Sequence, residues 1–535
     1  MLRKFRYAKK IQSLKSSSQN KTKVSQNLDQ KLVEDINENL TQLKNIVGQS
    51  NDIKFREFDI YFRTSTKVFI CFLDGLVNET SINSYIVKPL MEPNYVKETD
   101  PNLSADVLAL IKKRMISTST MQEINTIEAV FTSVLTGETV IFIDGYASAL
   151  AVGTQGFEAR SVEQPDTESS VRGSREGFNE VLKVNTALVR RKINNPNLVF
   201  EDMQVGKQTK TKIRIAYIND IADSKIVDEV RNRIERIETD VILESGYIEQ
   251  FIEDHPYSIF PTVGNSERPD KVAAKILEGR VAIFCDGTPF VLTVPNVFIE
   301  SIQVPEDYYS RPFLSTMMRL LRVLALFLTV GTPALFVAVA TYHQEMVPSL
   351  LLITMAAAEE KVPFPVFIEA FIMILVFELL KEAGVRMPRP VGSAISIVGA
   401  LVIGEAAVQA GLVSAPMVIV VALTAISGFV VSALTDAAVL ARFVLLIMAA
   451  IFGFYGILMG TLILLGHMCS LRSFGTPYLT PMAPIVWSEW KDAIVRLPLW
   501  SFQSRPQSLT WSTSKRQEGQ QNKPQNPTMT EEDKS

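Results

Sequence analysis

The chain has 535 residues, 47% of them hydrophobic, and a formal net charge of -3. That length allows two or three domains, and the near-neutral charge argues against a general nucleic-acid binder, which needs a concentrated basic surface. Cys71, Cys285 and Cys469 lie far apart and, with His255, His343 and His467, show no metal-ligand spacing, so neither a disulfide framework nor a zinc site is expected.

Residues 1–50 read as an N-terminal arm. Its first 23 residues carry Arg3, Lys4, Arg6, Lys9, Lys10, Lys15, Lys21 and Lys23 with no acid before Asp29, and no apolar core of a signal peptide. A disordered tail or a weak attachment to anionic lipid fits this pattern. Soluble subdomains are expected over 51–155 and 156–310, with the break in the polar stretch 151–177. Three phrases recur in them, VFICFLDGLV (68–77), TVIFIDGYAS (139–148) and VAIFCDGTPFVL (281–292). Each meets Asp-Gly after a run of β-formers, which predicts hairpins at Asp74-Gly75, Asp144-Gly145 and Asp286-Gly287. Turn chemistry accounts for these aspartates better than ligand binding does. Apolar residues spaced at three and four predict helices over 28–48, 104–116, 176–193, 223–237 and 244–254. Strands alternating with helices give an α/β or α+β region. No phosphate loop, nucleophile elbow or dinucleotide fingerprint occurs, so no enzyme and no cofactor are expected. Arg160, Arg172, Arg175, Arg190 and Arg191 form either an anion or subunit contact or, by the simpler reading, a solvated surface.

From 311 to 470 the composition turns to Leu, Ile, Val, Ala, Gly and Phe with sparse charge, which predicts a helical membrane domain. The first crossing spans 320–342; Arg311, Arg319 and Arg322 at its start place the soluble part in the cytoplasm. Residues 350–360 are too short to cross alone. Further crossings are expected at 364–380, 393–412, 417–434 and 443–468, the last one single or broken at Gly453 to Gly456. A single crossing leaves the C-terminus outside, and a break restores an even count. Carboxylates in such a run are expensive and usually face other helices or a water path. Glu378 and Glu382, four apart beside Arg386 and Arg389, read as anchors of the cytoplasmic end. Glu369, Glu405 and Gln409 are the candidates for a buried ion path, with structural glue between helices the competing reading of Glu405. Gly392, Ser396, Ala400 and Gly404 repeat every four residues and offer a close-packing helix face. A C-terminal amphipathic segment covers 471–500, and the tail 501–535, rich in Gln, Asn, Pro and Ser, reads as disordered.

The runs SERPDKVAAKILEGRVAIFCDGTPFVLTVP (266–295), EDYYSRP (306–312), 362–414 and FGTPYLTPMAP (474–484) resemble the A subunit of the GerA-type nutrient germinant receptors of bacterial endospores. The resemblance runs in order from about residue 60 to 500. It implies a multipass protein of the spore inner membrane that works with a transporter-like, germinant-binding B subunit and a lipoprotein C subunit. It further implies a homo-oligomeric ring that conducts ions when germinant binds; rings of acidic side chains attract cations. Two functions follow, a germinant-gated cation channel and a non-conducting scaffold that couples a ligand-binding partner to downstream germination proteins. A secondary transporter would favour repeats between membrane segments, and none is evident.

Overall fold

The computed structural model describes residues 30–61, 65–91, 120–156, 172–386 and 404–506, with a few single positions besides. The chain divides into two compact units, Met1–Glu253 with Val263–Pro295 and Phe502–Ser535, and Asp254–Thr262 with Asn296–Ser501.

The first unit contains the same arrangement twice. Helix α1 (Ile36–Val47) precedes β1 (Ile53–Tyr61) and β2 (Ser65–Leu73); a helical run over 79–91 leads on to β3 (Met121–Ile124), α2 (Ile127–Leu135), β4 (Glu138–Ile143) and β5 (Ala149–Gly153). The second half repeats this as α3 (Leu182–Lys192), β6 (Leu198–Val205), β7 (Thr211–Ile218), α4 (Ser224–Glu235), α5 (Ser245–Ile252), β8 (Gly264–Ser266), α6 (Pro269–Leu277), β9 (Val281–Cys285) and β10 (Val291–Val294). Strand orders are β1-β2-β4-β5-β3 and β6-β7-β9-β10-β8, the same topology displaced by one repeat. All pairings are antiparallel, so the expected α/β or α+β region is α+β.

Both faces of the first sheet are covered. Phe69, Cys71, Val140 and Phe142 pack with α1 and α2, while Val68, Ile70, Ile141 and Ile143 pack with residues 82–90. Alternate side chains leave a strand on opposite faces, so a sheet covered twice requires the continuous apolar runs seen in the sequence. Residues 36–47 of the N-terminal arm, within the helix expected over 28–48, are thus ordered and helical, with Leu43 and Val47 in the core.

The two later Asp-Gly sites join paired strands, β4 to β5 and β9 to β10. In each, the aspartate caps the helix that opens its half: Asp144 Oδ1 accepts from the Ile36 amide at 3.4 Å and Asp286 Oδ1 from the Leu182 amide at 3.2 Å. Matching asparagines confirm the duplication. Asn39 accepts from the Val33 amide and donates to its carbonyl, and Asn185 does the same to Asn179. The hairpin expected at Asp74-Gly75 does not form, because β2 pairs with β1 and β4 and the chain leaves it into the helical run. Gly75 has φ +93°, and a Cβ there would come within 3.1 Å of Ala187 Cβ and the Lys183 carbonyl, so this turn is shaped by α3 of the other half.

Among the arginines read as solvated, Arg190 is the exception. It is fully buried and donates to Asp52 Oδ2 from Nε at 2.9 Å and Nη2 at 2.6 Å, and to the Asn195 and Leu198 carbonyls, stitching the halves together. Arg191 instead pairs with Glu176 at 3.1 Å on the surface; Arg160 lies outside the described residues.

On α5, burial pushes the Glu249 carboxyl up from 4.5 to about 7, helped by Glu253 and Glu244. The folded state therefore holds a proton that the unfolded chain releases between those values, and stability falls as pH rises through that window. A Glu249→Gln variant should lose this dependence and melt higher than the parent at pH 8 but not at pH 4.5, as thermal unfolding would show.

The second unit is helical: α7 (Pro312–Tyr342), α8 (Ser349–Glu359), α9 (Val366–Arg386), α10 (Ala415–Val430) and α11 (Thr435–Ser470). Among the described residues two helices, α7 and the one containing α11, are long and apolar enough to cross a membrane. Gly453, at φ +59° and ψ -138°, breaks α11. The chain folds back there, since a Cβ on Gly456 would meet the Met448 carbonyl oxygen at 2.0 Å and one on Gly460 would meet Leu445 Cδ2 at 2.5 Å. The break frees two carbonyls, Ala450 and Ile451, and the Tyr342 hydroxyl of α7 donates to them at 2.8 and 3.1 Å. Residues beyond the hairpin return to the start of α7: Arg319 Nη1 donates to the Asp492 and Ala493 carbonyls.

Candidate functional site

The polar groups of the helical unit are placed by specific backbone needs. Pro333 lies inside α7 and has no amide hydrogen, so the Thr329 carbonyl one turn earlier lacks its helical donor. In an apolar surrounding such an orphan costs several kcal/mol. Arg442 of α11 fills it, donating from Nε at 2.9 Å, and pairs through Nη1 with Glu378 Oε1 of α9 at 2.9 Å. Arg442 is 3% exposed, so this is a buried ion pair joining three helices. Pro333, inside an apolar run, is the feature of the sequence from which an orphaned carbonyl could be expected.

The expected anchors separate into two pairs. Glu378 faces inward to Arg442, with Lys381 Nζ 3.7 Å away. Glu382 and Arg386 form an exposed pair at 2.6 Å. Arg389 and the small-residue positions Gly392, Ser396 and Ala400 lie outside the described residues; Gly404 is buried, and a Cβ on it would touch Val418 at 3.5 Å.

Of the three ion-path candidates, Glu405 and Gln409 meet within one chain, while Glu369 is bonded to Ser414 instead. Glu369 is 1% exposed and accepts from the Ser414 amide at 2.5 Å and its hydroxyl at 2.7 Å. Ser414 is the N-cap of α10, so Glu369 places a carboxylate at a helix N-terminus, where the macrodipole favours it. Glu405 and Gln409 are exposed and bonded to each other at 3.1 Å, with Val402 and Leu412 exposed nearby. Chemically, Glu369 is a helix-to-helix tie, whereas Glu405 is an exposed carboxylate with no ion pair among the described residues.

One cluster escaped sequence reasoning. At the base of α7, Asp307 accepts from Arg319 Nε at 2.9 Å and from Arg322 Nη2 at 2.6 Å, and Arg319 also meets Asp492 at 3.0 Å. Burial alone would lift the Asp307 carboxyl, but hydrogen bonds from Arg322 and Arg319 outweigh it and hold it below the usual range. Arg319 and Arg496 lie over the Tyr308 ring at 5.5 and 5.7 Å. The basic residues read as a topological marker are therefore also the clamp for residues 490–496.

A duplicated α+β unit in one chain with an apolar helical unit held by buried ion pairs defines a two-part protein whose helices are suited to an apolar medium. The chain belongs to the Bacillus/Clostridium GerA spore germination protein family, whose model matches residues 41–508. It is 45% identical over 481 residues to spore germination protein KA of Bacillus subtilis (strain 168), covering 90% of this chain and 87% of that one. It is 39% identical to spore germination protein B1 of the same organism, covering 88% and 96%. The crystallised N-terminal domain of the A subunit of the Bacillus megaterium spore germinant receptor GerK3 is 36% identical, with TM-score 0.40, over 50% of this chain and 98% of that one.

Proposed function

We propose that this protein is the A subunit of a nutrient germinant receptor in the inner spore membrane, crossing it several times and forming, with further copies, a germinant-gated cation channel. A transporter-like B subunit and a lipoprotein C subunit are its proposed partners. The observation that carries the reading is the exposed Glu405–Gln409 pair on an otherwise apolar surface. A carboxylate facing hydrocarbon is costly, so it is expected to face other subunits or water, and repeated around a ring it would attract cations.

Germinant-triggered potassium efflux from vesicles carrying the chain with its partners tests this. Glu405→Gln is expected to cut the efflux about tenfold while leaving assembly unchanged. Vesicles that stay tight with verified, assembled protein and the germinant that triggers the spores would sink the channel and favour the scaffold.

The fold-back at Gly453 supports an even number of crossings, with residues 471–506 on the same side as the start of α7. Cys71 and Cys285 are buried and Cys469 is exposed, so a membrane-impermeant maleimide is expected to label Cys469 only from that side. Labelling from the opposite face would refute the hairpin topology.

A further inference from the structure

A cavity of about 230 Å³ lies in the helical unit, lined by Thr329 of α7, Phe377, Glu378 and Lys381 of α9, Gly428 and Phe429 of α10, and Arg442 of α11, with Ser432 and Thr435 at the connection between the last two. It opens outward, where Phe429 is 67% exposed and Ser432 is exposed. Its floor is polar. The Thr329 hydroxyl is buried, in a residue only 1% exposed, and has no hydrogen-bond partner among the described residues. Arg442 uses Nε and Nη1 on the Thr329 carbonyl and Glu378, and its Nη2 has no hydrogen bond among the described residues.

The charges decide the ligand. Arg442 and Lys381 outnumber Glu378 by one, and both Glu378 oxygens are turned to these cations, Oε1 to Arg442 and Oε2 to Lys381. A cation would find no free carboxylate. What remains is a set of donors: the Thr329 hydroxyl, Arg442 Nη2 and the Lys381 ammonium, which is 30% exposed and, at 3.7 Å from Glu378, paired by charge but not hydrogen-bonded. Donors with one net positive charge suit a singly charged oxyanion such as a phosphodiester. The walls of Phe377 and Phe429 suit the chain that such a group carries. Basic pockets between membrane helices near a charged surface take anionic lipid head groups.

We infer that this cavity is a binding site for a phosphate ester, held by Lys381, Arg442 and the Thr329 hydroxyl, and that its occupant is the head group of an anionic phospholipid. The inference rests on the membrane reading above. Its consequence is that bound lipid would brace α7, α9, α10 and α11 at the Arg442 ion pair, so the composition of the membrane would tune the stability of this unit.

The test uses the full chain, delipidated in detergent, with melting temperature and lipid retained on native mass spectra as readouts. Phosphatidylglycerol is expected to raise the melting temperature and be retained, while phosphatidylcholine does neither. Lys381→Gln is expected to weaken phosphatidylglycerol retention about fivefold, the loss of one surface cation's attraction. Thr329→Val, close in shape, should weaken it while the unliganded melting temperature holds. Stabilisation by inorganic phosphate or glycerol 1-phosphate alone would support the phosphate site but assign it to a soluble anion. Equal retention of both lipids, or retention indifferent to both substitutions, would overturn it. Failure of the parent chain to co-float with vesicles of either composition would instead remove the membrane reading, and the lipid site with it.

Discussion

Asp52→Asn is expected to lower the melting temperature of the first unit by about 10 °C, the equivalent of about 3–5 kcal/mol for stranding one partner of a buried ion pair. Asp52 is 2% exposed and Arg190 fully buried, so solvent cannot take over the role of the missing carboxylate. The network reaches further than one pair. Ser50 Oγ donates to Asp52 Oδ1 at 2.5 Å and accepts from the Phe200 amide at 3.1 Å, while the Asn51 amide donates to the Phe200 carbonyl at 2.8 Å. These bonds lash residues 50–52 of the first half to β6 of the second. Removing both charges together, as Asp52→Asn with Arg190→Met, should cost less than Asp52→Asn alone, because no buried charge is then left unpaired. Thermal unfolding of the three variants checks this. A double variant that costs the sum of the two single changes would show that the residues act independently.

That junction also marks where sequence reading stops. Strands β2, β4 and β9 were legible because a sheet covered on both faces needs unbroken apolar runs, and helices α1, α3, α4 and α5 because their apolar stripes repeat at three and four residues; most of the helix expected over 104–116 lies outside the described residues. Asp144 and Asp286 were legible as turn residues, but not as caps, since the helices they cap start 108 and 104 residues earlier in the chain. Asp74-Gly75 looked identical in sequence and differs in fold; a positive φ at Gly is a local requirement, whereas the pairing of the strand beyond it is not. Arg190 sits between Val189 and Arg191 in a helix whose apolar side packs within its own half, and Asp52, its partner in the other half, is 138 residues away. Local periodicity assigns a charge to solvent unless a distant partner overrides it. The helical unit repeats the lesson: Glu378, with Glu382 beside Arg386, reads as an anchor of the cytoplasmic end until α11 brings Arg442 against it. Glu369 and Glu405 were both found by the rarity of acids in apolar runs, yet that rarity does not say which one turns inward.

Gly456→Leu is expected to have the largest effect in the second unit. In an uninterrupted helix residues 448 and 456 would lie about 12 Å apart along the axis, whereas here a Cβ at 456 would fall 2.0 Å from the Met448 carbonyl oxygen and 2.6 Å from its carbon. Backbone cannot move aside as a flexible side chain can, so the two arms of the hairpin must splay. Overpacking of this kind costs about 1–3 kcal/mol or more, and splaying would also disturb the contact of Gly460 with Leu445 and the Tyr342 bonds to the Ala450 and Ile451 carbonyls. Gly466 supplies the control, because nothing lies within 4 Å of a Cβ placed there. In detergent, Gly456→Leu should shift most of the protein out of the folded peak on size exclusion, while Gly466→Leu elutes and melts as the parent does. If both variants behave like the parent, the arms do not touch, and α11 is one continuous helix. The side on which residues 471–506 emerge would then reverse, and Cys469 would take label from the opposite face.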